Sequence, residues 1–184
     1  RIAEMTQPSG SSTVTLSTFD DHQYHELDLV NIAHLGRRWF GESFDINQEQ
    51  DFEFNFPNFD TSTPVKLMIT GASAAFTPTS FVASTNGQEV GTLSFSALNP
   101  NSDVEFNLSS LPNNTSFNGA ENIKIKLTYN NNGVPGSKGY LDNIRLIAKR
   151  KLRHPFDSRV TRTPLFSMLG LDNALSLSLK KMIG

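Results

Sequence analysis

The chain has 184 residues, 37% of them hydrophobic and 18% charged, with a formal net charge of -2 and a pI near 6.1. A chain of this length builds one principal core, and so balanced a charge gives no field that would gather nucleic acid or an anionic membrane surface. It contains no cysteine, so disulfides, a thiolate nucleophile and cysteine-ligated zinc are excluded together.

No run approaches the roughly 18 consecutive apolar residues of a membrane helix. The sequence opens at Arg1 on a polar segment without the charged and apolar regions of a signal peptide, as expected of a cut or processed chain. Abundant Asn, Ser and Thr favour turns and strand edges over long helices.

In chain order, residues 12–17 alternate through Thr13, Val14, Thr15 and Leu16, and Phe52, Phe54 and Phe56 alternate with Glu53 and Asn55 before Pro57. Both patterns predict strands with one buried face. Val65, Leu67 and Ile69 share a face over residues 64–70. Residues 80–84 and 89–96 flank Asn86-Gly87, a dipeptide suited to the positive φ angles of a two-residue hairpin. Further strands are expected at 103–108, where Val104, Phe106 and Leu108 alternate, and at 122–129, where Ile123, Ile125 and Leu127 oppose Lys124 and Lys126. The last is expected at 140–148. Strands at this short spacing, with a loop at 130–139 and no long amphipathic helix, predict an all-β, antiparallel β-sandwich of jelly-roll type.

Composition shifts after the closing strand. Lys149, Arg150, Lys151 and Arg153 form a basic knot, followed by Pro155, Pro164 and an apolar tail. The expected division is a sandwich domain over 1–152 and a C-terminal extension over 153–184. In that tail Leu175, Leu177 and Leu179 alternate as in a strand, while Leu165, Phe166, Leu169 and Ala174 fit a helix face; so apolar a tail is expected to dock.

The densest ionisable cluster is Asp20, Asp21, His22, His25, Glu26 and Asp28. These are zinc-type ligands, and a metal-dependent hydrolase would draw on His22, His25 and Asp28. On a strand, however, His22 and His25 point to opposite faces. Asp142 and Asn143 interrupt an apolar closing strand with oxygen ligands of the kind a structural calcium takes; the plainer expectation is that Asp142 accepts a hydrogen bond from a loop or an arginine. Arg37, Arg38, Trp39 and Phe40 join two guanidinium groups to the chain's single tryptophan, which offers a sugar platform or a protein contact. Because large aromatics are mostly buried, Trp39 and Phe40 are expected in the core, with the arginines reaching Glu42 or Asp45. A glycosidase pair would have to come from Glu42, Glu49, Asp51 and Glu53, whose separation decides the mechanism. No nucleophile elbow, phosphate-cradling glycine loop or dinucleotide fingerprint is present.

Two blocks carry a family resemblance: His25-Glu26-Leu27-Asp28-Leu29-Val30-Asn31-Ile32, and Gly36-Arg37-Arg38-Trp39-Phe40-Gly41-Glu42-Ser43-Phe44. They resemble the non-catalytic N-terminal region of PorU-type proteins, the gingipain-related sortases of the type IX secretion system of Bacteroidetes. The resemblance continues through Phe52-Glu53-Phe54-Asn55-Phe56-Pro57-Asn58 and the Asn86-Gly87 hairpin to Gly139-Tyr140-Leu141-Asp142-Asn143-Ile144. It covers about residues 20–152; the segment from His154 onward departs from it. What it implies is a Cys/His peptidase domain elsewhere in a full-length protein, cleaving the C-terminal signal of secreted cargo and joining the cargo to a surface lipopolysaccharide. With no cysteine here, no catalytic residue carries over.

The expectation is therefore a non-catalytic, extracytoplasmic module at the cell surface or outer membrane, with no cofactor beyond the candidate calcium. Its partners would be a catalytic peptidase domain and outer-membrane secretion components, with no nucleic acid and no membrane span. The alternative is a carbohydrate-binding or adhesin-type jelly roll. Candidate interaction or ligand residues are Arg37, Arg38, Trp39, Glu42 and Tyr140, with Asp142 for the metal.

Overall fold

The computed structural model describes residues 15–33, 38–152 and 166–167. Among them there is no helix. The strands are β1 (Thr15–Leu16), β2 (Thr18–Glu26), β3 (Ser43–Phe44), β4 (Glu49–Asn55), β5 (Val65–Ala74), β6 (Thr79–Thr85), β7 (Gln88–Phe95), β8 (Asn107–Ser110), β9 (Ser116–Phe117), β10 (Asn122–Asn130), β11 (Lys138–Lys151) and β12 (Phe166–Ser167).

One sheet has the order β2-β11-β5-β8, with β3 beside β11 and β9 beside β5; the other has the order β4-β10-β6-β7. Every pairing is antiparallel. Counting β2, β4, β5, β6, β7, β8, β10 and β11 as first to eighth gives the orders 1-8-3-6 and 2-7-4-5, the winding of a jelly roll. The expected all-β antiparallel sandwich is the observed fold.

The core lies between the sheets and follows the alternation in the sequence. Phe52 and Phe54 of β4 and Ile123, Ile125, Leu127 and Tyr129 of β10 face Val65, Leu67 and Ile69 of β5 and Leu141, Ile144 and Leu146 of β11. The Tyr129 hydroxyl, fully inside, is satisfied by Ser73 Oγ at 2.8 Å, and Ser73 in turn by Thr79 Oγ1 at 2.7 Å, as a buried polar group requires.

Asn86 and Gly87 have φ of 50° and 77° and join β6 to β7, the two positive angles of a type I′ turn. A Cβ added at Gly87 would meet nothing within 4 Å. The strain of a branched residue there is thus purely conformational, and Gly87→Val is expected to lower stability by roughly 1–2 kcal/mol, read from the urea midpoint.

Two expectations change. The strand expected at 103–108 forms instead at Asn107–Ser110, while Val104 and Leu108 are exposed. Phe106, the middle residue of that alternation, stacks edge-on against Phe40 at 5.2 Å; a loop docking on the outside of the sheet mimicked a strand's period. Of the strand expected at 12–17, β1 occupies Thr15–Leu16 and pairs with β12, while 12–14 lie outside the described residues. So does most of the 153–184 extension.

Candidate functional site

Of the connection between β2 and β3, residues 27–33 and 38–42 lie on the outer face of the β2-β11-β5-β8 sheet. Val30 and Phe40 exchange backbone hydrogen bonds of 2.9 and 2.8 Å, and the returning limb is tied to β11 by Gly41 N to Leu141 O at 2.7 Å and Leu141 N to Glu42 O at 3.0 Å. The outward row of β5 is small here, with Ala72 and Ala74, so Phe40 sinks completely against Ala72 and Tyr140. Val30, Ile32 and Phe106 close this second apolar cluster.

An extended limb alternates its side chains, so the neighbour of a buried Phe40 points out. Trp39 is 44% exposed, against the expectation that both aromatics are core. Leu27 and Leu29 are 43% and 60% exposed. Leu29 lies next to the Phe40 carbonyl, to which its N–H donates, and a Cβ at Gly41 would come within 3.4 Å of the Leu27 Cβ. Leu27 and Leu29 on one limb and Trp39 on the other are thus exposed apolar side chains. The Leu-Asp-Leu alternation at 27–29 was the sequence signal for this patch; what concealed it is that the same period marks a buried strand face.

Asp142 occupies a β-bulge. Leu141 pairs with Gly71 and Asn143 with Thr70, so Asp142 is the extra residue of β11. The insertion keeps both Leu141 and Ile144 in the core and turns Asp142 toward the overlying loop, where Arg38 Nη2 lies 3.7 Å from its Oδ2. Burial pushes the Asp142 carboxyl above its ordinary pKa, with Arg38 and Asn143 pulling it back down and Asp28 adding to the rise. Among the described residues no three His, Cys, Asp or Glu side chains converge as metal ligands.

A carboxyl whose pKa is raised by folding stabilises the fold below its unfolded value of about 3.9, and that stability is lost as pH rises through the folded value. Asp142→Asn is therefore expected to match or exceed the parent's urea midpoint near pH 7, with the advantage vanishing near pH 3. A variant less stable at neutral pH, together with a parent midpoint that rises in millimolar calcium, would instead identify Asp142 as a cation ligand.

The structure separates the His-rich cluster by placing Asp20, Asp21, His22, His25 and Glu26 on β2 and Asp28 beyond its end. His22 faces outward, and its Nδ1 accepts from Arg145 Nη2 at 2.8 Å. His25 faces inward over the Phe52 ring at 4.7 Å and bonds Glu42 Oε1 through Nε2 at 2.7 Å. The other inward side chains of β2 close the open side of the sandwich: Gln23 donates to the Asn55 carbonyl and Asp21 pairs with Arg150 at 2.9 Å. Glu42 Oε2 is buried with no hydrogen-bond partner among the described residues. Glu49 and Asp51 lie apart from Glu42, each held by a lysine of β10: Lys126–Glu49 and Lys124–Asp51, both 2.8 Å. These are rungs of an exposed charge ladder on the outside of the other sheet.

Of the candidate surface residues, Arg38 reaches Asp142, and Trp39, next to it in the chain, is exposed. Tyr140 lies beneath the loop, 9% exposed, and burial raises its pKa, with Asp45 and Tyr129 adding to the rise. Arg37 lies outside the described residues. A depression of about 430 Å³ sits apart from this patch, lined by Asp45, Ile46, Gln48, Asn131, Pro135 and Lys138; its lining holds no histidine and no hydroxyl nucleophile.

No family model matches the sequence, and no curated protein does. Among solved structures, the chain is similar to dimeric latent PorU from Porphyromonas gingivalis, with a TM-score of 0.67 and 19% identity over 87% of this chain and 16% of that one. It is more distantly similar to the carbohydrate-binding module CBM36 in complex with calcium and xylotriose, at TM-score 0.43 and 13% identity over 71% of this chain and 99% of that one. It is likewise similar to TmCBM61 in complex with β-1,4-galactotriose, at TM-score 0.38 and 12% identity over 70% and 86%. The two modules are too distant to carry a ligand over. The chain has a PorU-like β-sandwich fold and corresponds to a small part, 16%, of that protein's length.

Proposed function

We infer that this chain is a non-catalytic β-sandwich module of a PorU-like cell-surface cysteine peptidase, packing on or positioning the catalytic part and secretion partners. The observation that carries this reading is the pair of segments 27–33 and 38–42, pinned over the sheet by Phe40 and holding Leu27, Leu29 and Trp39 outward. A rigidly backed apolar cluster with an aromatic anchor and a charged rim is the composition of a protein interface centre. The PorU-like fold over 87% of the chain supports the same reading, as does a sequence without cysteine, which offers no nucleophile for such a peptidase. In this role the chain works outside the cytoplasm, at the cell surface or the outer membrane. The test is co-elution with a purified PorU-type peptidase domain. Leu29→Asp, a surface change, is expected to abolish co-elution without altering the urea midpoint; co-elution that survives Leu29→Asp and Trp39→Ala would remove the patch from the account.

A second reading, a carbohydrate-binding or adhesin-type domain, is favoured by Trp39 itself. A half-exposed indole on the same short segment as the Arg38–Asp142 pair offers an apolar plane and polar groups, the elements that sites for small polar ligands use. Affinity electrophoresis in xylan and galactan gels distinguishes it: retardation lost in Trp39→Ala supports the sugar reading, and unretarded migration removes it.

A further inference from the structure

β11 begins at Lys138 and ends at Lys151, opposite Thr18 of β2. At the Lys138 end lies the depression of about 430 Å³ lined by Asp45, Ile46, Gln48, Asn131, Pro135 and Lys138. Its place follows from where a strand stops. Ser43 pairs with Tyr140 and Phe44 with Gly139, so one more step of the same antiparallel register would set Asp45 directly opposite Lys138. The pairing ends at Phe44 instead, and Ile46 is 97% exposed. Among the described residues neither Asp45 nor Lys138 takes part in an ion pair, with each other or with any other group.

Hydrogen bonds fix the two segments that form the walls. The Gln48 carbonyl accepts from Tyr129 N–H at 2.8 Å, the Asn131 carbonyl from Val134 N–H at 3.1 Å and the Val134 carbonyl from Ser137 N–H at 3.0 Å. Asn131 Oδ1 accepts from Gly133 N–H at 3.0 Å, which leaves the Asn131 amide nitrogen to donate. The lining is selective in its charges. A lone carboxylate with an ammonium close by does not suit a metal cation, which takes several oxygen ligands. A lone ammonium with a carboxylate close by does not suit a simple anion. No aromatic ring lines the depression for a sugar to stack on. A molecule bearing both charges uses both groups, and its volume range is that of a small-ligand site.

We propose that this depression binds an aliphatic α-amino acid as its zwitterion. The ligand ammonium pairs with Asp45, the ligand carboxylate pairs with Lys138 and accepts from the carboxamides of Gln48 and Asn131, and the aliphatic side chain lies along Ile46 and Pro135. The test is a titration of the full chain with L-leucine, followed by amide chemical shifts, beside isoamylamine and isocaproate, each of which lacks one of leucine's two charges. Saturable shifts are expected at residues 45–48 and 131–138, with each analogue bound about fivefold more weakly than leucine, the worth of one exposed ion pair. Asp45→Asn and Lys138→Gln should each weaken leucine about fivefold. Asp45→Asn should leave isocaproate binding undiminished, and Lys138→Gln should do the same for isoamylamine, a crossed pattern that a damaged fold does not produce. The absence of saturable shifts at these residues, or equal affinity for leucine and its two analogues, overturns the proposal. Shifts at the same residues with xylose and not with leucine overturn it in favour of a neutral sugar.

Discussion

Phe81→Ala is expected to destabilise the protein by about 3–5 kcal/mol, the cost of a buried phenylalanine truncation. Phe81 is completely buried and stacks edge-on with Phe44 at 4.9 Å and Phe95 at 5.8 Å and at a tilt with Tyr129 at 4.9 Å. Phe44 belongs to one sheet and Phe95 and Tyr129 to the other, so the ring is a bolt between them. Its tip fills the space above Gly139, where an added Cβ would stand 2.6 Å from Phe81 Cζ and 2.6 Å from Tyr129 Cδ2. Gly139→Ala alone should therefore cost roughly 1–3 kcal/mol by overpacking. The two changes are coupled, because truncating Phe81 vacates part of the volume the new methyl needs. The double variant is expected to lose clearly less than the sum of the single losses in urea unfolding. Strict additivity would mean that the two residues do not share that space.

Phe40→Ala is expected to cost about 3 kcal/mol, and to do so locally. Phe40 anchors residues 27–33 and 38–42 through Ala72 and Tyr140, in a cluster separated from the main core by the sheet itself. Hydrogen exchange should quicken at Leu29, Val30 and Phe40, whose N–H groups are held only where the two limbs of the loop meet, while the amides of β5 and β10 remain protected. Trp39, the single tryptophan, should red-shift in emission as the limb lifts. Uniform loss of protection across both sheets would show that the loop is part of the main cooperative unit.

The strands of the core were legible because each buries one face, and a period of two survives in the sequence: Phe52 and Phe54, or Ile123, Ile125 and Leu127. The hairpin was legible because its two positive φ angles select Asn-Gly. Three features were not. The strand β2 carries polar groups on both faces, since its inward side chains Asp21, Gln23 and His25 close the edge of the sandwich by hydrogen bonds, and no hydrophobic period marks it. The bulge at Asp142 breaks the alternation of β11 in the middle, so the sequence alone does not show why an acidic residue interrupts the apolar run. The opposite fates of Trp39 and Phe40 depend on the small outward face that Ala72 and Ala74 provide, which lies far away in the chain. In each case the deciding partner is remote in sequence, and composition does not encode it.

The docking role proposed for Leu27, Leu29 and Trp39 rests on their exposure beside the buried Phe40. Its most direct test is a titration of the Trp39 emission with a purified PorU-type peptidase domain, run beside xylo- and galacto-oligosaccharides. A saturable blue shift with the peptidase domain is expected, absent in Leu29→Asp, with no response to the sugars. A shift produced by the oligosaccharides and not by the peptidase domain would contradict it and establish the patch as a sugar site.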